Sequence, residues 1–256
     1  MGLIQKGHRS RTSNLHFTFY GDLLGIGAAY QLSPQVAYEK LNSFYNTVFN
    51  RFEPLCDNPN SPVHVQMFSD SVVIWGSYAT EILELLQQVY LDLVRKNLLL
   101  RGALVDGALV KEPRVEVKHF RKFLPTNDTL ARAVGLEKTV KGARLLIESA
   151  LARKLLSSHS EWLTLEGYMD QFCPNVPASD VLRRICPSPS ATSYELLYFW
   201  RQSPAVDDND IADRLKEVAE FHEAYVGDHL RETLKVLKRS EMRRRRTEQL
   251  LGACRS

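Results

Sequence analysis

The chain has 256 residues, of which 44% are hydrophobic and 25% charged, a profile typical of globular proteins that excludes a disordered or fibrous chain. Its formal net charge of +3 is too small to indicate nucleic acid as a partner. Cys56, Cys173, Cys186 and Cys254 have no CxxC spacing, so neither a disulfide framework nor a zinc site is expected. Without a secretory leader or an apolar stretch near the roughly 20 residues of a membrane span, we expect a soluble, cytoplasmic protein with no membrane partner.

The first half of the chain alternates strand and helix patterns. The predicted elements, in chain order, are a strand at residues 15–20, a helix from Ser33 to about Phe52, strands at 63–68 and 71–75, a helix capped by Thr80 and a strand at 98–105. Ser33 before Pro34 is a typical helix start, and Ser69-Asp70 is typical of a tight hairpin turn. The resulting order is the βαββαβ of a ferredoxin-like α+β unit.

The second half of the chain continues this pattern and then changes. We predict a helix at residues 129–141, a strand at 143–148, an irregular stretch at 155–193, a strand at 194–200 and a polar helical region at 207–251. A boundary near Ser203-Pro204 divides an α+β domain (residues 1–203, core about 15–150) from a helical C-terminal extension (204–256). We expect an antiparallel-rich sheet with helices on one side. The basic run at 243–246 is interpreted as a solvated helix face.

Two aspartates 48 positions apart, Asp22 and Asp70, are the strongest candidates for a functional site. Asp22 follows the first strand, where glycines let a ligand approach the backbone closely, and Asp70 lies at the hairpin tip. The first strand of a βαββαβ sheet is central and neighbours the hairpin, so both carboxylates can reach one edge. They could hold divalent cations beside a phosphate-bearing ligand. The alternative is conformational, because Asp is common in turns and caps.

Other polar residues near the pair allow two interpretations each. Tyr20 has the strand parity of Asp22, so it either lines a ligand pocket or belongs to the core. Arg101 follows a run of leucines, where an unpaired charge is costly, so it either pairs with an acid or points at a phosphate. The serines on either side of the hairpin aspartate, Ser69 and Ser71, are interpreted as turn residues, although a hydroxyl could contact a phosphate.

Several motifs resemble class III nucleotidyl cyclases. Residues 20–27, Tyr-Gly-Asp-Leu-Leu-Gly-Ile-Gly, resemble the family's first metal motif, which reads aromatic, any, Asp, aliphatic, any, Gly, aromatic, Thr or Ser. Residues 68–71, Phe-Ser-Asp-Ser, stand where the family carries its second metal aspartate. Residues 100–107 resemble its Arg-Gly-x-x-x-x-Gly strand, and residues 130–137 and 144–147 resemble its later helix and strand. The resemblance covers roughly residues 15–150.

This resemblance implies roles for named residues. Two Mn²⁺ or Mg²⁺ ions would bind Asp22, Asp70 and the backbone carbonyl of Leu23. Amides of the turn at residues 25–28 would form an anion nest for the triphosphate. The residues expected to bind substrate are Tyr20, Gly25, Ile26, Gly27, Gln66, Arg101 and Arg132. The resemblance also implies a head-to-tail homodimer with shared active sites, because the partner chain completes cyclase sites of this type.

Departures from the family pattern narrow the expected substrate. Gln66 stands where adenylate cyclases carry an adenine-selecting lysine, and Ser69 stands where the family usually has glycine. The positions of the family's catalytic asparagine and arginine hold Ala131 and Gly135, with Arg132 as a candidate substitute. A compact cyclase without purine determinants resembles the pyrimidine cyclases of bacterial Pycsar anti-phage defence. Those enzymes make cyclic UMP or cyclic CMP from UTP or CTP as a signal for a separate effector protein. The resemblance favours UTP over CTP as the substrate here, because uridylate cyclases are the commoner members of that group.

The sequence leaves three other functions open. The chain could be a purine cyclase, or a catalytically degenerate cyclase-like module that binds a nucleotide. It could also be a structural α+β protein in which the two aspartates serve only the backbone. The missing asparagine and arginine favour the degenerate module, whereas the two retained aspartates favour catalysis.

Overall fold

The computed structural model describes residues 15–112, 122–157, 182–188, 191–196, 213, 215, 227–239 and 241–242. Its elements are β1 (Phe17–Leu23), α1 (Ile26–Leu32), α2 (Pro34–Cys56), β2 (Val63–Phe68), β3 (Ser71–Gly76), α3 (Ala79–Arg95), β4 (Leu100–Asp106), α4 (Thr129–Glu137), β5 (Leu145–Glu148), α5 (Ser149–Ser157), β6 (Leu182–Ser188) and β7 (Ala191–Leu196). Residues 227–239 form a further helical segment, the C-terminal segment. Within these ranges no helix has both the length and the apolar character to cross a bilayer.

All seven strands belong to one sheet, in the order β2-β3-β1-β4-β5-β7-β6. Only β4 and β5 pair in parallel, and the other neighbours are antiparallel. The central position of β1, between β3 and β4, is the arrangement that the βαββαβ prediction requires. The expected α+β fold with an antiparallel-rich sheet is therefore confirmed.

The main hydrophobic core lies between one face of the sheet and helices α2 and α3. Its fully buried members include Phe17, Phe19 and Leu23 of β1, Phe44, Val48 and Phe52 of α2, and Ile82, Leu86 and Leu93 of α3. Burial of each such side chain contributes about 1.5–3 kcal/mol to folding. This layer fixes the position of β1, the strand that carries Asp22.

The opposite face of the sheet is also covered. On β3, Val73 and Trp75 alternate with residues of the main core. They pack with Leu130 of α4 and with two residues that precede this helix, Leu109 and Phe123. The expectation that all helices lie on one side is therefore wrong. The reason is that β3 is apolar at successive positions, so both of its faces need a cover.

A phenylalanine ring fills the space beside two glycines of adjacent strands. Gly21 of β1 and Gly102 of β4 are partners in register. An ideal Cβ atom would lie 2.9 Å from the Phe19 ring at Gly21 and 2.6 Å from it at Gly102. Both distances are shorter than real Cβ contacts, so a side chain at either position would displace the ring. We call this arrangement the glycine slot.

Local signals predicted several element boundaries, with two exceptions among the helices. The helix start at Ser33-Pro34 is confirmed, and the Ser33 hydroxyl accepts a hydrogen bond from the Val36 amide at 3.1 Å. The predicted cap at Thr80 is wrong, because α3 begins at Ala79 after Tyr78 in the left-handed region, with φ 66°. The predicted helix at 129–141 ends earlier, at Glu137.

The stretch predicted to be irregular contains regular structure. It covers the end of α5 and all of β6, which pairs with β7. The predicted strand at 194–200 overlaps β7, which begins three residues earlier, at Ala191. The prediction was wrong here because β6 contains Pro187 and its pairing with β7 is not marked by apolar alternation.

The C-terminal segment packs into the main core. Leu230 and Val236 are fully buried there. Amides that precede β5 donate hydrogen bonds to this segment: Gly142 to Nδ1 of His229 at 3.0 Å, and Ala143 to Oγ1 of Thr233 at 2.8 Å. The described residues between 207 and 251 are helical, as expected. The predicted boundary at 203–204 and the basic run at 243–246 lie outside the described residues.

Candidate functional site

Asp22 and Asp70, which we call the acidic pair, lie at the same end of the sheet. Asp22 is the penultimate residue of β1, and Asp70 belongs to the two-residue loop between β2 and β3. The amide of Leu23 donates a hydrogen bond to the backbone carbonyl of Asp70 at 2.7 Å. The hairpin tip is thus attached to the end of β1. The structure brings both aspartates to the same end of the sheet, and their role as metal ligands stays a prediction.

The hairpin loop holds Ser69 in a conformation that usually favours glycine. Its φ angle is 49°, in the left-handed region. Residues other than Gly, Asn and Asp enter this region at a cost of about 1–2 kcal/mol. The glycine that the cyclase family carries at this position would adopt the same φ without that cost.

A chain of hydrogen bonds connects Tyr20, Ser71 and Asp22. The Ser71 hydroxyl donates to Oδ1 of Asp22 at 3.0 Å, and it lies 3.1 Å from the Tyr20 hydroxyl. Ser71 is the first residue of β3 and the register partner of Asp22. Our sequence interpretation of Ser71 as a turn residue missed this contact. The hairpin itself was predictable, but the β1–β3 register that aligns Ser71 with Asp22 has no local signal.

The surroundings of Asp22 oppose its negative charge. Burial raises the pKa of its carboxyl group, the hydrogen bond from Ser71 lowers it, and the nearby charge of Asp70 raises it again. The net result is a pKa above the ordinary value. A partly desolvated carboxylate beside a second negative charge is the chemical setting that a divalent cation would relieve.

The donor set of this edge suits a hard cation. The described residues include no cluster of three or more His, Cys, Asp or Glu side chains placed to hold a metal ion. A cation at the acidic pair would therefore have only two carboxylates as side-chain ligands from this set. Mg²⁺ and Mn²⁺ are commonly bound by one or two carboxylates together with carbonyls, water and substrate phosphates. A leucine side chain has no metal-binding atom, so at Leu23 only the backbone carbonyl could serve, and this role stays a prediction.

Arg101 is engaged by an acid from α4. It lies opposite Asp22 in the β1–β4 register, and its Nε donates to Oε1 of Glu137, whose side chain is 1% exposed. Of the two sequence interpretations, the structure supports pairing with an acid. Burial raises the pKa of Glu137, while the hydrogen bond and charge of Arg101 lower it, and the net shift is upward. Contact of Arg101 with a substrate phosphate stays a prediction.

Arg132 lies at the opposite end of the sheet from the acidic pair. Its Nη1 is 2.5 and 2.6 Å from the two carboxylate oxygens of Glu148, and its Nη2 donates to the carbonyl of Asp106 at 2.7 Å. Asp106 and Arg101 are five residues apart on β4, which corresponds to roughly 16 Å. Within one chain, the structure does not bring Arg132 to the acidic pair.

The glycine-rich segment after β1 is helical. Gly25 has φ 84° and precedes α1, so the predicted turn at residues 25–28 is the first turn of a helix. The prediction missed this helix because it is only seven residues long, contains Gly27 and has no side-chain N-cap, so the usual start signal is absent. The Ile26 side chain is buried in the main core, and a Cβ at Gly27 would meet no atom within 4 Å. Only backbone amides could therefore contact a phosphate here, which stays a prediction.

Gln66 lies on the exposed side of β2 among aromatic side chains. It pairs with Val73, which in turn pairs with Tyr20, so all three are on the sheet face of Asp22. The aromatic cluster comprises His64, Phe68, Trp75 and Phe123, with ring centroids 5.1 Å apart for Phe68–Phe123, 5.2 Å for His64–Trp75 and 5.9 Å for Trp75–Phe123. Gln66 therefore lies between two aromatic residues of its own strand.

The fold is that of class III cyclase catalytic domains. Adenylate cyclases from Trypanosoma brucei, solved in their monomeric state, match at a TM-score of 0.52 and 11% identity over 76% of this chain and 93% of theirs. The adenylyl cyclase CyaB from P. aeruginosa matches at 0.51 and 11% over 76% and 97%. The non-canonical dimeric guanylyl cyclase domain of RhoGC from Blastocladiella emersonii matches at 0.51 and 11% over 72% and 94%. No family model matches the sequence, and no curated protein does.

Proposed function

We propose that this protein is a nucleotidyl cyclase that converts UTP or CTP into the 3′,5′-cyclic monophosphate and pyrophosphate. One observation carries the proposal: a backbone hydrogen bond joins the hairpin tip to β1 and holds Asp22 and Asp70 at the same end of the sheet. The sheet belongs to a fold of the cyclase type. The two positions are those of the motifs that resemble the cyclase metal sites.

Asp22 and Asp70 would hold two Mn²⁺ or Mg²⁺ ions, with the backbone carbonyl of Leu23 as a further ligand. When bound, such ions lower the pKa of the ribose 3′-hydroxyl and neutralise charge on the triphosphate. The 3′-oxygen attacks the α-phosphorus in line, a new P–O bond forms, and the bond to pyrophosphate breaks. The hydroxyl proton leaves to solvent. The reaction needs no covalent intermediate with the protein.

The choice of a pyrimidine substrate rests on Gln66. A glutamine cannot supply the positive charge of the lysine that adenylate cyclases carry at this position. Its amide group offers a donor and an acceptor, which can pair with the O4 and N3 edge of uracil or the N4 and N3 edge of cytosine. A purine in a site built for one ring would clash or leave polar groups unpaired, which costs about 1–3 kcal/mol for each unsatisfied group.

A competition assay tests this proposal. The protein is incubated with Mn²⁺ and equal concentrations of all four ribonucleoside triphosphates, and the products are identified by mass spectrometry. Cyclic UMP or cyclic CMP should dominate, and Gln66→Lys should shift the product toward cyclic AMP. Asp22→Ala and Asp70→Ala are the controls, and each should abolish every product. A preference of the unmodified protein for ATP or GTP would contradict the pyrimidine assignment and leave the cyclase assignment intact.

We further propose that the active unit is a head-to-tail homodimer. Support comes from the position of Arg132, at the opposite end of the sheet from the acidic pair of its own chain. In a head-to-tail arrangement, the opposite ends of two chains meet. The resemblance to anti-phage pyrimidine cyclases suggests that the product is a second messenger read by a separate effector protein.

A second candidate function is nucleotide binding without turnover. Both arginines expected near the substrate already form ion pairs within the chain: Arg101 pairs with Glu137, and Arg132 pairs with Glu148. A degenerate module would bind UTP or CTP without producing pyrophosphate. The competition assay distinguishes the two, provided that binding of the intact triphosphate is measured in parallel.

A further inference from the structure

We propose that Tyr20 and Ser71 form a relay of hydroxyl groups that fixes the Asp22 carboxylate for cation binding. The inference rests on the proposed cation site at the acidic pair and adds two positioning residues to it. The Ser71 hydroxyl oxygen lies 3.0 Å from Oδ1 of Asp22 and 3.1 Å from the Tyr20 hydroxyl oxygen. Neither hydroxyl contact follows from the motifs in the sequence.

The direction of the relay follows from the number of hydrogens. A serine hydroxyl carries one hydrogen, and Ser71 donates it to Asp22. The Tyr20 hydroxyl must therefore be the donor in its bond with Ser71. This order leaves both lone pairs of Oδ2 and the second lone pair of Oδ1 available to a cation.

The far end of the relay is anchored in the molecule. The Tyr20 ring packs against the buried residues Val73, Trp75 and Leu109, so the core determines where its hydroxyl lies. Ser71 is held by backbone pairing with Asp22. Among the described residues, Ser71 is the side chain that hydrogen-bonds to the Asp22 carboxylate. Oriented second-layer partners of this kind typically raise metal affinity 10–100-fold.

The test measures binding of Mn²⁺ alone, from the electron paramagnetic resonance signal of the free ion. Ser71→Ala should weaken Mn²⁺ binding about tenfold, as loss of a second-layer hydrogen bond does, whereas Ser71→Thr keeps the hydroxyl and should bind nearly as the unmodified protein does. Tyr20→Phe should cause a smaller loss. In the Ser71→Ala background, Tyr20→Phe should cause no further loss, because the relay is already broken.

The outcomes separate this inference from the proposed function. Asp22→Asn should abolish Mn²⁺ binding, and retention of binding in that variant would overturn the cation site itself. Loss in Asp22→Asn together with unchanged affinity in Ser71→Ala would overturn the relay alone. Additive losses for Tyr20→Phe and Ser71→Ala would mean that the two hydroxyls act separately, which also overturns it. Circular dichroism verifies folding, and Tyr20→Phe provides an independent test if Ser71→Ala does not fold.

Discussion

Asp22 carries its carboxyl group in surroundings that oppose ionisation. Burial and the charge of Asp70 raise its pKa above the ordinary value of 3.8 in spite of the hydrogen bond from Ser71. Because the folded state retains this proton to higher pH than the unfolded state does, stability falls as the pH rises through the folded-state pKa. The resulting penalty is present at neutral pH and absent well below the ordinary pKa.

Asp22→Asn should therefore raise the melting temperature at pH 7, where the carboxylate is charged, and give no gain near pH 3, where Asp22 is protonated in both states. Melting curves without divalent cations at the two pH values measure the effect. Addition of Mn²⁺ should raise the melting temperature of the unmodified protein and not that of the variant. An equal gain at both pH values would show that ionisation of Asp22 is not its cause.

Ser69 offers a second test at the level of one residue. Ser69→Gly removes the cost of a left-handed φ of 49° and adds the chain entropy of glycine, so a net stabilisation of about 0.5–1 kcal/mol is expected. Gly25→Ala is the matched control, because Gly25 has φ 84° and its replacement should destabilise by a similar amount. Urea unfolding measures both. Destabilisation by Ser69→Gly would mean that the Ser69 side chain stabilises the hairpin.

At the scale of elements, the Arg101–Glu137 ion pair is one of the contacts that join α4 to β4. Glu137 is almost fully buried, so Arg101→Ala leaves its charge without a partner and should cost about 3–5 kcal/mol of unfolding free energy. Replacement of both residues by leucine should recover most of that loss. Urea unfolding of the two variants measures this.

The double variant also tests the role of Arg101. If Arg101 serves only the ion pair, the stable double-leucine variant retains turnover. If Arg101 also contacts the substrate, turnover is lost although the fold is restored. Recovery of neither stability nor turnover would contradict the ion-pair account of the α4–β4 contact.

Elements defined by neighbouring residues could be predicted from the sequence, and those defined by distant pairing could not. The start of α2 depends on Ser33 and Pro34 alone, and the β2–β3 hairpin depends on its two-residue loop. By contrast, β6 forms a strand because it pairs with β7. The second face of the sheet, at Val73 and Trp75, is buried by residues that lie more than 30 positions later in the chain. Apolar periodicity carries no information on such pairs.

The candidate site divides in the same way. The meeting of Asp22 and Asp70 followed from the βαββαβ topology, because that topology puts the hairpin beside the first strand. The Ser71–Asp22 bond depends on the register between two strands, at residues 49 positions apart, and the Arg101–Glu137 pair depends on how α4 packs against β4, at residues 36 positions apart. A shift of one residue in the β1–β3 register would turn Ser71 to the other face of the sheet, and no local pattern fixes that register or the packing of the helix.

At the scale of the whole molecule, the proposed dimer can be tested by complementation. Asp22→Ala removes the acidic-pair half of a site, and Arg132→Ala removes the half that the partner would supply. In an equal mixture, half of the dimers are mixed and each has one intact site, so about a quarter of the unmodified activity should return. Activity per chain should also fall on dilution below the dimer dissociation constant.

The matched control mixes Asp22→Ala with Asp70→Ala chains. Both changes lie in the same half of the site, so no intact site can form and no activity should return. Recovery in this control, or none in the Asp22→Ala and Arg132→Ala mixture, would contradict the head-to-tail arrangement. Full activity per chain at nanomolar concentration would contradict the dimer itself.

The glycine slot has a consequence for how the sheet exchanges amide hydrogens with solvent. Two paired glycines would normally open easily, because neither has a side chain to exclude water. Here the Phe19 ring covers both, and the Gly102 amide donates to the Arg144 carbonyl at 2.9 Å beneath it. In deuterium exchange, the Gly102 amide should be among the slowest of the chain, and Phe19→Ala should accelerate it. The pairing of β4 with the residues that lead into β5 would then be one of the last parts of the sheet to open.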